Sequence, residues 1–228
     1  MRIGGFQKLT LVDFPGLVAA TVFTQGCNFR CGYCHNPELV LPQFFKAPLS
    51  PETVLDYLND RRGKLEGVVI TGGEPTLQTG LVDFIVRIKE MGFAVKLDTN
   101  GSHPEVLLSL LGLNLLDYIA MDIKSSFSKY NLVTGVACET TKIQESVDLI
   151  IKSGIPCQFR TTLVKEFCSK EDLCDIQLLM RQADHYVLQP FIPSRKIIDL
   201  QFNHQSQYTS TEVEALKAQY DKCRKAHY

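Results

Sequence analysis

The chain carries almost no excess charge of either sign: 24 Lys and Arg stand against 25 Asp and Glu, a formal net charge of −1. Extended nucleic-acid or anionic-membrane binding draws on a basic field, and this chain has none to offer, so neither partner is expected. No run of roughly 18 apolar residues occurs, which argues against a membrane span. The longest apolar-leaning stretch, residues 106–121, is broken by Ser109, Asn114 and Asp117. Residues 1–16 lack a continuous signal core and carry Arg2, Lys8 and Asp13, so a cytoplasmic protein is expected. Eight cysteines without a secretory signal do not read as a disulfide scaffold. Internal repeats, low-complexity tracts and Pro/Gly/Ser-rich linkers are missing too. The 228 residues therefore read as one α/β domain spanning 1–228, long enough to bury its own core.

What the chain does have is strand and helix in alternation. Residues 18–24 form a β-branched run, followed by a helix over 51–61 with Ser50 as its cap and Pro51 in the first turn. Strands are expected at 67–71, 94–98, 118–123, 156–162 and 186–189. Helices are expected at 81–91, 104–111, 141–152, 170–182 and 211–225, with Gly92 and Gly154 as stops and Thr209 or Ser210 capping the last. Six such units imply parallel strands joined by helical crossovers. An incomplete (β/α)6 barrel is the natural closure, and an open six-stranded Rossmann-like sheet is the alternative. Both put functional residues at the carboxyl ends of the strands. Polar and Gly residues do collect there: Cys27 to Pro37 after the first strand, Gly72-Gly73-Glu74-Pro75 after the second, and Asp98-Thr99-Asn100-Gly101 after the third. Asp122-Ile123-Lys124 ends the fourth, Arg160 lies in the fifth, and Gln189-Pro190-Phe191 ends the sixth.

Cys27, Cys31 and Cys34 follow a C-x-x-x-C-x-x-C spacing. Thiolates are soft ligands that suit iron–sulfur clusters or zinc. Three of them leave one iron of a [4Fe–4S] cube without a protein ligand, free for an amino acid's amine and carboxylate. Zinc with His35 as a fourth ligand would want a second cysteine knuckle, which is missing. Cys31-Gly32-Tyr33-Cys34 also reads formally as a redox pair. The other five cysteines, at 138, 157, 168, 174 and 223, read as packed thiols.

The segment from Cys27 to Cys34, with Tyr33 before the third cysteine, resembles the signature loop of the radical S-adenosylmethionine (SAM) superfamily. Its continuation, His35-Asn36-Pro37-Glu38-Leu39, resembles the activases of glycyl-radical enzymes. These are pyruvate formate-lyase activating enzyme and, more nearly, the activating proteins of anaerobic ribonucleoside-triphosphate reductase. Gly5 to Lys8, Leu11 to Gly16 and Phe23 to Gly26 are similar to the latter group as well. The resemblance implies a [4Fe–4S] cluster on Cys27, Cys31 and Cys34, with SAM bound around it and Tyr33 part of the cofactor pocket. It implies that Gly72, Gly73 and Glu74 take the methionyl amine and that Asp98 and Thr99 help form the methionyl pocket. It further implies Lys124, in Asp122-x-Lys124, on the carboxylate, Arg160 on the ribose and Gln189 near the adenine. Asp98, Thr99 and Asp122 could together hold a monovalent cation. Asp13 would face the substrate peptide, although a turn-forming Asp reads as well. The implied partners are a glycyl-radical enzyme, anaerobic ribonucleoside-triphosphate reductase, and a flavodoxin or ferredoxin reductant. A radical enzyme acting on a small molecule, like 7-carboxy-7-deazaguanine synthase, and a non-catalytic electron-transfer module are the competing readings.

Overall fold

Ala19, Ala20, Val22 and Thr24 leave almost no surface exposed, so the strand they form, β2 (Ala19–Thr24), is interior to a sheet rather than at its rim. The computed structural model describes residues 1–226 except 181, 182 and 184, with side chains as far as residue 223. Six parallel strands run in chain order: β2, β3 (Gly67–Gly72), β4 (Ala94–Thr99), β5 (Tyr118–Asp122), β6 (Cys157–Leu163) and β7 (Tyr186–Pro190). A seventh strand, β1 (Ile3–Thr10), pairs antiparallel with the outer edge of β2. Among the described residues no ladder joins β7 to β1. A doubly wound sheet reverses its strand order at a switch point. This order never reverses, so the sheet is an incomplete barrel rather than the Rossmann-like alternative.

Strand β1 escaped the sequence pattern because Gly4, Gly5 and three exposed residues dilute its alternation, and only Ile3 and Thr10 are buried. The helices α1 (Pro37–Val40) and α5 (Tyr130–Thr134) are too short to carry a helical period. The longer helices α2 (Pro51–Asn59), α3 (Leu81–Glu90), α4 (Pro104–Gly112), α6 (Thr140–Ser153), α7 (Lys170–Leu179) and α8 (Ser210–Ala226) lie within a few residues of their expected spans. Helix α7 ends at Leu179; residues 181 and 182 of its expected span, and His227, lie outside the described residues.

Local chemistry fixes these ends. Ser50 Oγ accepts from the Glu52 amide at 3.2 Å, Thr209 and Glu212 exchange capping bonds before α8, and Gly154 closes α6 in the left-handed region. Outward-facing Val95, Leu97, Ile119, Met121 and Phe159 pack beneath the helices. Helix α8 packs on α7, where Cys174 and Cys223 are joined as a disulfide, a correction to their reading as separate packed thiols.

Candidate active site

Side chains alternate across a strand, so burying one face under helices sends the other into the barrel. Asp98, Asp122, Arg160 and Thr162 are the inward members at the carboxyl ends of β4, β5 and β6. They line one cavity of about 270 Å³ with Thr71, Gly72, Gly73, Glu74, Thr99 and Lys124. The same cavity is lined by Cys27, Cys31, Tyr33 and Cys34, and by no other cysteine.

The cysteine loop is held from several sides. Gly26 donates to Leu39 O at 2.7 Å, and the Glu74 amide donates to Gly26 O at 2.8 Å. Arg30 N–H donates to Thr134 O, at the end of α5, and its guanidinium donates to the carbonyls of Cys27 and Phe29. Asn100 Nδ2 reaches Asn28 Oδ1 at 2.9 Å. After β7 the chain returns over the loop: Ile198 N–H donates to Cys34 O and Asp199 N–H to Gly32 O, with the Phe202 ring against Tyr33. Burial pushes the Cys27 thiol up to about 12, with Glu74 adding to it, and the Cys31 thiol up to about 11. Burial raises Cys34 as well. A reactive C-x-x-C pair is favoured by the opposite shift. Among the described residues no group of His, Cys, Asp and Glu is fitted to a single metal ion. His35 is exposed at the edge of this cavity, with its ring against Phe191.

The glycines are fixed by close approach of backbone. A Cβ on Gly73 would stand 2.0 Å from Gly26 O, and one on Gly72, at φ +112°, 2.4 Å from the Thr24 amide. Glu74 is fully buried. Its Oε1 accepts from Thr76 N, Thr76 Oγ1 and Thr99 Oγ1, and its Oε2 from Asn100 N at 2.7 Å. The carboxylate thus clamps the turn after β3 to the end of β4. Burial raises its pKa against these bonds.

Across the cavity runs a chain of alternating charge. Lys96 Nζ bonds Asp98 Oδ1 at 2.6 Å, Arg160 bridges Asp98 at 3.3 Å and Asp122 at 2.8 Å, and Lys124 Nζ meets Asp122 Oδ2 at 3.0 Å. Burial pulls the Asp122 carboxyl up, but Lys124 and Arg160 outweigh it and hold it at about 2. Lys124 and Arg160 are raised in return by their carboxylates, against the pull of burial.

Two expected site residues lie elsewhere. Gln189 is exposed near the end of β7 and Asp13 sits in the β1–β2 connection, its carboxylate accepting from Thr21 Oγ1 at 2.8 Å. Neither lines the cavity, and the Asp13 carboxylate ties the β1–β2 connection to strand β2. Conversely, Asn28, Asn100, Lys96 and the returning segment 197–202 belong to the site's framework without having been singled out. Asn100 sat in the motif Asp98-Thr99-Asn100-Gly101, where it was itself read as a turn residue while Asp98 and Thr99 were assigned to the pocket. Lys96, two residues before Asp98 on the same strand face, shows its inward direction only in the structure. Residues 197–202 carried no sequence signal.

The sequence model of the radical SAM superfamily matches residues 21–173, most of the chain and all three cysteines. The chain belongs to this superfamily. A Methanocaldococcus jannaschii protein named as a glycyl-radical enzyme activating enzyme is 37% identical to this radical SAM enzyme over 201 residues, 84% of this chain and 80% of that one. The pyruvate formate-lyase-activating enzyme of Clostridium pasteurianum is 35% identical over 208 residues, 83% of this chain and 82% of that one. In fold, this radical SAM enzyme matches Streptococcus suis SuiB bound to S-adenosylmethionine with a TM-score of 0.63 at 16% identity, covering 86% of this chain and 44% of that one. Membership of the superfamily gives its cofactors, a [4Fe–4S] cluster and SAM. The donor set fits them: three soft thiols and no fourth cysteine on one cavity, beside charges of both signs and the buried, unpartnered hydroxyl of Tyr33.

Proposed function

We propose that this radical SAM enzyme generates a glycyl radical on a partner enzyme, the partner being an anaerobic ribonucleoside-triphosphate reductase and the electron source a flavodoxin or ferredoxin. Its setting is the cytoplasm. Similarity over four-fifths of the length of both this chain and two activating enzymes carries the activase part of this reading. The segment His35-Asn36-Pro37-Glu38-Leu39 after the third cysteine supports it.

A cluster held by Cys27, Cys31 and Cys34 would supply the one electron needed for reductive cleavage of SAM at its sulfonium, the chemistry that starts hydrogen abstraction from a glycine. The protein's part is ligation, orientation and exclusion of water. Cys27, Cys31 and Cys34 hold the cluster. Lys124, on the cavity wall beside Asp122, takes the methionyl carboxylate, and Arg160 reaches the ribose. The turn Gly72-Gly73-Glu74 offers backbone to the methionyl amine, and the buried Glu74 carboxylate holds that turn in place. Tyr33 places an aromatic face and an unsatisfied hydroxyl against the cofactor. Asp98 and Thr99 complete this wall.

The test uses anaerobically reconstituted protein with dithionite, SAM and anaerobic ribonucleoside-triphosphate reductase. A glycyl-radical doublet in the electron paramagnetic resonance spectrum is expected. Formation of 5′-deoxyadenosine with no glycyl radical on the reductase or on pyruvate formate-lyase would refute the activase reading and leave the cofactor assignment standing.

A further inference from the structure

The expectation of a monovalent cation at Asp98, Thr99 and Asp122 meets a site whose carboxylates are already taken. Asp98 and Asp122 together present four oxygens, and each accepts from a cationic side chain: Lys96 and Arg160 on Asp98, Arg160 and Lys124 on Asp122. Thr71 Oγ1 stands a further 3.5 Å from Asp98 Oδ2. Three cations thus face two carboxylates. An added monovalent ion would have to displace one of them and give up its own water.

The three cations are not equivalent. Arg160 and Lys124 line the cavity, where a ligand's carboxylate or hydroxyls can recruit them. Lys96 does not line it. Its side chain is 6% exposed, it enters from the strand layer below, and its ammonium lies 5.9 Å from the centre of the Tyr118 ring. No ligand in the cavity competes for it. We propose that Lys96 is this enzyme's built-in counter-cation, a positioning residue that permanently neutralises Asp98 and makes SAM binding independent of dissolved potassium or sodium. The physical reason is the cost of a buried carboxylate left alone. Once a cofactor draws Arg160 and Lys124 toward itself, Lys96 is the charge that stays. The part concerning SAM rests on reading the Asp98–Arg160 wall as part of its pocket.

The experiment compares wild type, Lys96→Met and the charge-neutral pair Lys96→Met/Asp98→Asn in potassium, sodium or tetramethylammonium chloride at equal ionic strength. Two quantities are read: KM for SAM in 5′-deoxyadenosine formation by the reconstituted holoenzyme, and Tm of the metal-free protein. Wild type should keep its KM within about twofold across the salts, as ordinary screening allows. Lys96→Met should show KM raised about tenfold or more in tetramethylammonium, as expected when a buried charge loses its partner. Potassium or sodium should partly restore that KM and should raise the variant's Tm, while the Tm of wild type and of the neutral pair stays the same in every salt. Wild type that needs potassium or sodium, a neutral pair stabilised by them, or Lys96→Met with unchanged KM and Tm would overturn the proposal. Should Lys96→Met fail to fold, wild type and the neutral pair still decide it. A cation response in Tm with no change in KM would place the wall outside the SAM pocket while sustaining the counter-cation.

Discussion

Asp199 N–H donates to Gly32 O at 2.8 Å, so a segment beyond the last strand fastens the loop that carries the three cysteines. Three residues later Phe202 covers Gly32 so closely that a Cβ there would stand 2.4 Å from the ring. Gly32→Ala therefore forces apart two pieces that touch, at a cost of about 1–3 kcal/mol by the measure of overpacked cores. Its Tm should fall and its iron content after reconstitution should drop. Phe202→Ala in the same chain should return part of both by making room. A Gly32→Ala protein with full iron and unchanged Tm would show that the segment does not bear on the loop.

Glu74 is a hub of four accepted hydrogen bonds with no exposed surface. Glu74→Gln turns one acceptor into a donor facing donors. Leaving such buried groups unsatisfied costs about 1–3 kcal/mol each. A clear loss in urea midpoint is expected for the metal-free protein, before any cofactor is involved. Glu74→Gln as stable as wild type would contradict the clamp.

Loss of Cys31 removes one of three thiolates. Cys31→Ala should bind little iron and form no 5′-deoxyadenosine, whereas Cys138→Ala, outside the cavity, should retain both. Iron determination and product chromatography check this, and full activity in Cys31→Ala would refute the ligand assignment.

Burial lifts Cys27 from 9.0 to about 12, Glu74 adding to it, so the folded metal-free protein holds that proton more tightly than the unfolded chain does. The sign follows: this contribution to stability is complete below pH 9 and is lost as the pH climbs toward 12. Urea midpoints of metal-free protein should fall between about pH 8.5 and 11, and less steeply in Cys27→Ala. Cluster assembly must expel the thiol protons, so iron uptake at limiting iron should be easier at higher pH. Equal slopes for the two proteins would refute the burial of that thiol.

The bond between Cys174 and Cys223 closes a loop of 49 residues between α7 and α8. The chain-entropy estimate for such a loop is about 4 kcal/mol. Oxidised, metal-free protein should show six reactive thiols in denaturant rather than eight, and reduction should lower its Tm. Eight reactive thiols would refute the bond.

Much of this was legible without coordinates. The spacing of Cys27, Cys31 and Cys34 and the polar ends of the strands at Asp98, Asp122 and Arg160 are local patterns, as are Ser50 and Gly154 at helix ends. Local pattern is what a sequence displays. Strand β1 was hidden because an edge strand with two glycines and only its end residues buried carries little alternation. Lys96 was hidden because a lysine in a strand ordinarily points to water, and its inward face is known only once Val95 and Leu97 are seen beneath the helices.

The sequence by itself determined the chemistry: three thiols in one loop, repeated β/α units, and charged residues at the strand ends. Folding decided which of those groups share a cavity. Tertiary contacts put Gln189 and Asp13 outside it, turned Glu74 into a clamp, and brought Asp199 and Phe202 over Gly32. They also stationed Lys96 behind Asp98. Those outcomes depend on residues distant along the chain meeting across strands and loops, and no local pattern encodes such meetings.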